Sequence, residues 1–529
     1  MGMYLNPGNM GFQAIRNGVY VDKTGLIDYL NRTVNTPLKL TSVSRPRRFG
    51  KSFAAKMLCA YYDKSCDSRA LFEGLEISGM ESFETGLNKY DVIYLDITWF
   101  VSTTVDINEI VGDIQNSIIS ELREKFFDFI PDGEKSLPRV LSEIAGKAGI
   151  QFIIIIDEWD ALFREAKNNE KIQKEYVQLL RGLFKGGMTT DKTIAAAYMT
   201  GILPIKKYGT ESALTDFREY TMTKPGWLAK YVGFTEDEVK ALCEEYQMDF
   251  EEVQTWYDGY SFSRVKHVYS PNSVMSAVQE GEILNYWPQT ESFESLKEYI
   301  EMDYDGLKGA IVEMLGGSHI PVKISTFQND LTSFKNKNDV LTLLVHLGYL
   351  AYDQSTREAY IPNLEVMEAF EDAVSGEKWG AVGEAIANSE KLLSATLRGD
   401  EAMVAEALEI IHESVTSVLQ YNDEASLSCA ITIAYYTAKR YYSIVREFPS
   451  GKGFADLAFI PRKGVGKPAM IVELKYEKDA DTAIRQIHDN RYGGALKDCF
   501  GNLFLVGINY DKNAVGEKAK RHTCVIERV

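Results

Sequence analysis

The chain has 529 residues, long enough for three or four domains, and its mixed composition (45% hydrophobic, 25% charged) shows no low-complexity tract or repeat. The longest branched aliphatic run, Ile153-Ile154-Ile155-Ile156, is far short of the ~20 residues of a membrane span. No basic start precedes an apolar core at the N-terminus, and the six cysteines and six histidines are scattered, so a cytoplasmic protein with reduced thiols and no structural zinc is expected. The net charge of −18 argues against nucleic acid as a partner of the whole surface. Residues 416–529, however, carry 17 Lys and Arg against 13 Asp and Glu, a mildly basic module on an acidic body.

In chain order, Val21-Asp22-Lys23-Thr24 leads into an amphipathic helix over 25–31 with Thr24 at the N-cap. Asp22 and Lys23 either border a ligand or serve the helix start. A strand over 38–43 then precedes Arg45-Pro46-Arg47-Arg48-Phe49-Gly50-Lys51-Ser52 and a helix over 53–62. Strand, tight loop and helix suit a phosphate-binding loop, in which Lys51 reaches the β/γ-phosphates of ATP and Ser52 holds Mg²⁺. Arg45 stands where the usual pattern has its first glycine, and Gly-Lys-Ser alone also fits an ordinary helix start. A strand over 91–96 and helices over 107–125 and 137–147 follow. Phe152–Ile156 reads as a strand buried on both faces, with Asp157 and Glu158 at its C-terminal end, where α/β sheets bind ligands. Asp157 suits a Mg²⁺ site and Glu158 the attacking water; the bland reading makes them the cap of the next helix. A helix over 172–184 carries Arg181, and a strand over 193–199 ends at Thr200-Gly201, a polar tip suited to the γ-phosphate or a simple turn. The candidate nucleotide-binding residues are therefore Arg48, Gly50, Lys51, Ser52, Asp157 and Thr200, with Glu158 catalytic, on a doubly wound α/β P-loop core.

Residues 233–257 read as a small helical lid in which Thr235 and Glu238 form a capping box. Trp256-Tyr257-Asp258-Gly259-Tyr260 reads as a packed aromatic turn. A helix over 341–347 and a hairpin over 348–362 suit the closing part of a winged helix, and acidic amphipathic helices occupy 368–413. Apolar strands over 454–460 and 469–475, joined by a Gly/Lys-rich turn, form a hairpin. Alternation puts Glu473 and Lys475 on one face, and Asp456 on the neighbouring strand can meet Glu473. Asp456 and Glu473 suit Mg²⁺, Glu424 at the start of a helix over 425–442 can complete the shell, and Lys475 can position the attacking water. Glu-x-Lys alone is weak; the neighbouring acids strengthen it.

Val21–Thr24, Arg45–Ser52, Ile156–Asp160 and Trp256–Tyr260 together resemble the bacterial AAA-ATPase-like family, usually fused to a C-terminal PD-(D/E)XK nuclease domain. In that family the Arg-Pro-Arg-Arg-Phe-Gly-Lys-Ser loop is typical. The resemblance implies an AAA-like core (1–220), helical lid (221–265), winged-helix-like region (266–370), helical linker (371–415) and PD-(D/E)XK-like α/β domain (416–529). There Asp456, Glu473 and Lys475 match the motif, Glu424 the helical acid and Gln486, on a helix over 480–491, a polar position near the site. It implies an ATPase controlling a Mg²⁺-dependent nuclease, with ATP and Mg²⁺ as cofactors, nucleic acid (DNA before RNA) as partner and no membrane. A homo-oligomer is left open, with Arg181 and Arg218 as candidates for an arginine shared between subunits. The competing class is an ATP-switched scaffold that binds nucleic acid or protein without cutting.

Overall fold

The computed structural model describes residues 2–529 apart from 206, 209–210, 213, 288–290, 303, 330, 420–423, 451–452, 463, 491–495, 497–501, 512 and 515–520. The chain divides into two units, residues 1–286 with 321–359 and residues 287–320 with 360–529, so 266–370 is shared between them. Among the described residues no helix is long and apolar enough to cross a membrane.

In the first unit β1 (Leu40–Ser44), β2 (Asp91–Asp96), β3 (Phe152–Asp157), β4 (Ile194–Gly201) and β5 (Arg218–Tyr220) form one parallel sheet in the order β2-β3-β4-β1-β5. β3 and β4 are buried at every position, as branched and small apolar side chains covered on both faces require. Helices Ile110–Phe126, Leu137–Ala148 and Glu170–Phe184 supply Ile114, Ile118, Leu141, Ile144, Tyr176 and Leu180 to the core against the sheet. β4, last of the four long strands in sequence, lies between β1 and β3. The loop after β1, the acidic end of β3 and the polar tip of β4 are thereby brought to one edge.

Beyond the sheet, β6 (Phe234–Thr235), β7 (Tyr260–Phe262) and β8 (Val265–Tyr269) form a small antiparallel sheet in the order β6-β8-β7. Helices Glu236–Tyr246, Phe250–Tyr257 and Pro271–Glu280 pack with it around Val239, Leu242, Tyr257, Tyr269 and Val274. The expected Thr235/Glu238 capping box is present, with Thr235 N–H donating to Glu238 at 2.7 Å.

In the second unit the helices Gly380–Arg398 and Glu401–Leu419 precede helix Glu424–Ala434. The latter is shorter than the expected 425–442 and passes into a 3₁₀ turn, Tyr436–Arg440. Two consecutive buried tyrosines reach different partners there: Tyr435 shares a 2.6 Å hydrogen bond with Thr396, and Tyr436 donates to the Met367 carbonyl at 3.0 Å. The sheet order is β9 (Tyr442–Ser450), β10 (Gly453–Pro461), β11 (Ala469–Tyr476), β12 (Leu503–Tyr510), β13 (His522–Arg528). β10 and β11 form the expected hairpin, and β11 and β12 run parallel, connected through helix Ala480–Asp489.

Candidate active sites

The loop after β1 turns on Arg48 and Gly50, both with left-handed backbone (φ 64° and 88°). No atom lies within 4 Å of where a Cβ on Gly50 would project, and Gly50 is the N-cap of helix Lys51–Tyr62, an N-terminus that lines an open cleft and suits phosphate. The Lys51 ammonium is buried; it donates to the Pro46 carbonyl at 2.9 Å and pairs with Glu158 at 3.1 Å. A cleft of about 750 Å³ opens here. Arg48, Lys51, Ser52 and Glu158 line its polar side, Val19, Val21 and Met57 one apolar wall, and Met275 of helix Pro271–Glu280 another. The space, the helix N-terminus and the buried ammonium fit a nucleoside triphosphate.

Asp157 is buried beneath this cleft and accepts a hydrogen bond from the Thr200 hydroxyl. Burial raises its carboxyl above the usual range, against the hydrogen bonds from Ser52 and Thr200. A buried carboxyl flanked by Ser52 and Thr200 suits a hard divalent cation. Glu158 adopts left-handed backbone (φ 51°), a strained state for a non-glycine residue. It is held by bonds from Trp159 N–H to the Thr200 carbonyl (2.8 Å) and from Glu158 N–H to the Thr200 hydroxyl (3.3 Å). A Cβ on Gly201 would lie 2.5 Å from Trp159 and 2.7 Å from Asp160, so only glycine lets this turn sit against the tip of β4. Burial pushes the Glu158 carboxyl up, but Lys51 and Arg164 outweigh it and hold the group below its ordinary value. Arg164 donates to Glu158 at 2.6 Å and pairs with the buried Asp160 at 3.4 Å. Sequence reasoning missed Arg164, although its i,i+4 spacing from Asp160 was a usable signal.

Arg45 is fully buried under the loop. Its guanidinium donates to the carbonyls of Ser44 (2.9 Å) and Tyr220 (3.3 Å) and lies 5.0 Å from the Phe262 ring; burial lowers its pKa to about 10. Tyr260, on the same face of β7, packs edge-on against Phe49 at 5.3 Å and donates to the Gly348 carbonyl at 2.6 Å. The aromatic stretch ending at Tyr260 thus continues into a strand that supports the loop. Asp22 serves the helix start, accepting from Thr24 N–H at 2.8 Å and from Glu76 N–H at 2.6 Å. The Thr24 hydroxyl does not cap its own helix; it accepts from Ile77 N–H at 3.1 Å. Lys23 lines the cleft, but its ammonium is tied to Glu238 at 2.6 Å and to the Lys230 carbonyl at 2.8 Å. Arg181 is exposed on helix Glu170–Phe184, and Arg218 lies against the rings of Tyr29 and Tyr220.

The second constellation lies on β10 and β11. The register that sets Leu457 opposite Val472 carries Asp456 alongside Glu473, and Asp456 accepts from Leu474 N–H at 2.6 Å. The Lys475 ammonium donates to Glu473 at 2.8 Å and to the Leu474 carbonyl at 3.0 Å. Gln486 of helix Ala480–Asp489 donates to the same Glu473 oxygen. A Cβ on Gly507 of β12, the partner of Glu473 in the sheet, would meet the Ala480 carbonyl at 2.5 Å; glycine there lets the helix bearing Gln486 lie close. The other Glu473 oxygen is buried with no hydrogen-bond partner among the described residues. Burial raises the Glu473 carboxyl, Lys475 lowers it and Asp456 raises it, with a net upward shift. An orphaned buried carboxylate oxygen beside a second acid fits a divalent cation. Among the described residues no group of three or more His, Cys, Asp or Glu is placed to hold a metal ion by itself. The Glu424 backbone opens helix Glu424–Ala434, and its side chain lies outside what the structure describes.

Residues 8–210 match the family described as "Predicted AAA-ATPase", and residues 423–519 match the PD-(D/E)XK nuclease superfamily. A curated relative, an "Uncharacterized protein in vnfD 5'region" of Azotobacter chroococcum mcd 1, is 24% identical over 293 residues. That match spans 54% of this chain and 54% of the relative, about half the length of each. Among solved structures, the Aeropyrum pernix ORC2 protein aligns at 11% identity and TM-score 0.24 over 67% of this chain and 93% of its own. C. elegans PCH-2 aligns at 14% identity and TM-score 0.20 over 68% and 71%. Scores this low lie well short of a superposable fold.

Proposed function

Because an AAA-ATPase-like domain and a PD-(D/E)XK nuclease superfamily domain share this chain, we propose that it binds and hydrolyses ATP and that its nucleotide state controls Mg²⁺-dependent cleavage of nucleic acid, DNA before RNA. The observation that carries this reading is that each domain sets a carboxylate against a lysine, half-buried Glu158 just past the end of one parallel strand and buried Glu473 within another. In the first domain Lys51 and the amides around Arg48 and Gly50 hold the phosphates, Ser52 and Asp157 hold the cation, Thr200 meets the γ-phosphate and Glu158 orients the attacking water. In the second, Asp456 and Glu473, with Glu424, hold the cation, and Lys475 orients or deprotonates water. When bound, Mg²⁺ neutralises charge on phosphate oxygens at both sites. Coupling requires that ATP bind the cutting-competent and silent states with different affinity.

The test uses the full-length chain with end-labelled DNA and RNA, with and without ATP. Asp456→Ala should abolish cleavage and leave ATP binding intact, whereas Lys51→Ala should abolish ATP binding and change the cleavage rate. Wild-type cutting by Asp456→Ala overturns the nuclease assignment. Cleavage that ignores both Lys51→Ala and ATP overturns the control. Nucleic acid bound but never cut, at any divalent cation, leaves an ATP-switched scaffold.

A further inference from the structure

A groove of about 1550 Å³ runs between the helices Ile110–Phe126, Leu137–Ala148 and Glu170–Phe184 of the first unit, and five cations line it: Lys135, Arg139, Lys174, Arg181 and Lys185. Only Glu134 and Glu175 oppose them along its walls. Glu134 stands 3.9 Å from Arg139, and Lys174 pairs with Glu170 at 2.9 Å. Lys135, Arg181 and Lys185 have no carboxylate within ion-pair distance among the described residues.

Helix energetics account for two of these five cations. Arg181 and Lys185 sit at the C-terminal end of their helix, where the dipole favours cations. Lys135 and Arg139 flank the N-terminus of Leu137–Ala148, where the dipole opposes them. Cations gathered against a helix dipole in a protein of net charge −18 suit an external anion. Arg181 and Lys185 rise about 6 Å apart along one helix face, so the groove presents a row of charge instead of a single pocket. The rest of the lining is short and aliphatic or polar (Val111, Gln115, Val177, Leu179), with no aromatic side chain on which an unpaired base could stack.

We propose that this groove binds the phosphate backbone of a nucleic-acid duplex without reading its sequence. Duplex is favoured over single strand because only charge is offered, and the duplex carries the denser charge. The proposal rests on the groove's own charge and is independent of whether the C-terminal domain cuts.

The experiment measures anisotropy of a fluorescent 20-base-pair DNA duplex, and of one of its strands, against the full-length chain in EDTA across a KCl series. Lys135→Glu/Arg139→Glu/Lys185→Glu should weaken duplex binding at least about tenfold at low salt. It should also reduce the slope of log affinity against log salt by roughly 2.7, at about 0.9 for each phosphate no longer neutralised. Lys185→Glu alone should produce about one third of that change. ATP binding and melting temperature should match wild type, which establishes that the fold is intact. Wild-type affinity and slope in the triple variant overturn the proposal. So does tighter binding of the single strand, or a variant that loses self-association in sedimentation while holding duplex as before. The slope change together with no cleavage of the duplex by the wild-type chain in Mg²⁺ would refute the nuclease reading alone.

Discussion

Glu158 is a half-buried and Glu473 a buried carboxylate, each paired to a lysine, and their environments push them in opposite directions. Glu158 has Lys51 and Arg164 around it, which overcome burial and keep it readily ionised. Glu473 has one ammonium, a neighbouring acid in Asp456 and an oxygen with no partner among the described residues, so it is held above its ordinary value. Two cations satisfy a carboxylate; one cation shared with a second acid leaves it short of positive charge. The contrast separates a group suited to orienting water from one suited to holding a metal ion. Spacing differs too. Lys51 and Glu158 come from different elements far apart in the domain sequence, whereas Glu473 and Lys475 are neighbours on one strand face.

The comparison can be broken most sharply at the Asp456/Glu473 site. Asp456→Ala and Glu473→Ala should each reduce cleavage by more than about 100-fold, since even indirect supports of a metal are worth 10–100-fold. Lys475→Ala should also stop cleavage while retaining more divalent-cation affinity, read by calorimetry, because an ammonium is no ligand. Equal cation affinity in wild type and Glu473→Ala would remove Glu473 from the ligand set.

At the two-cation site the expected loss is of similar kind. Glu158→Gln should keep ATP binding and lower hydrolysis by roughly 100-fold, the range of a lost general base. An unchanged turnover would show that Arg164 and Lys51 hold Glu158 for structure alone.

A smaller effect tests the support of Glu473. Gln486→Ala should lower cleavage about tenfold without altering ATP turnover, and Gly507→Ala should do the same by forcing helix Ala480–Asp489 off the sheet. If Gln486→Ala cuts normally, its bond to Glu473 is only packing.

The smallest effect is in stability. The depressed Glu158 group contributes stability that is present above the unfolded carboxyl range and is lost as pH falls through its folded value. The raised Glu473 group does the reverse: its contribution is present at low pH and is lost as pH rises. Without nucleotide or metal at neutral pH, Glu158→Gln should cost roughly 1–3 kcal/mol, because it strands Lys51 and Arg164. That gap should narrow on acidification. Glu473→Gln should cost less at neutral pH and fall behind wild type as pH drops. Parallel pH profiles for the two variants in thermal unfolding would contradict the contrast.

Much of both domains was legible because it is local. Strand β3 with Asp157 and Glu158, the loop ending in Lys51 and Ser52, and the β10–β11 hairpin with Asp456, Glu473 and Lys475 are stretches whose periodicity and end residues lie close together in sequence. The Thr235/Glu238 capping box is equally local. Sheet order is not local: side-chain alternation says which residues face a core, but not which strand lies beside which. Only the fold sets β4 between β1 and β3 and so turns Thr200 from a strand tip into the partner of Asp157 and Glu158. Likewise, nothing next to Arg45 in sequence announces Phe262 and the Tyr220 carbonyl, the partners that bury it beneath the loop. The closeness of Gln486 to Glu473 depends on Gly507, on a later strand, because helix-to-sheet distance is decided where the two elements touch.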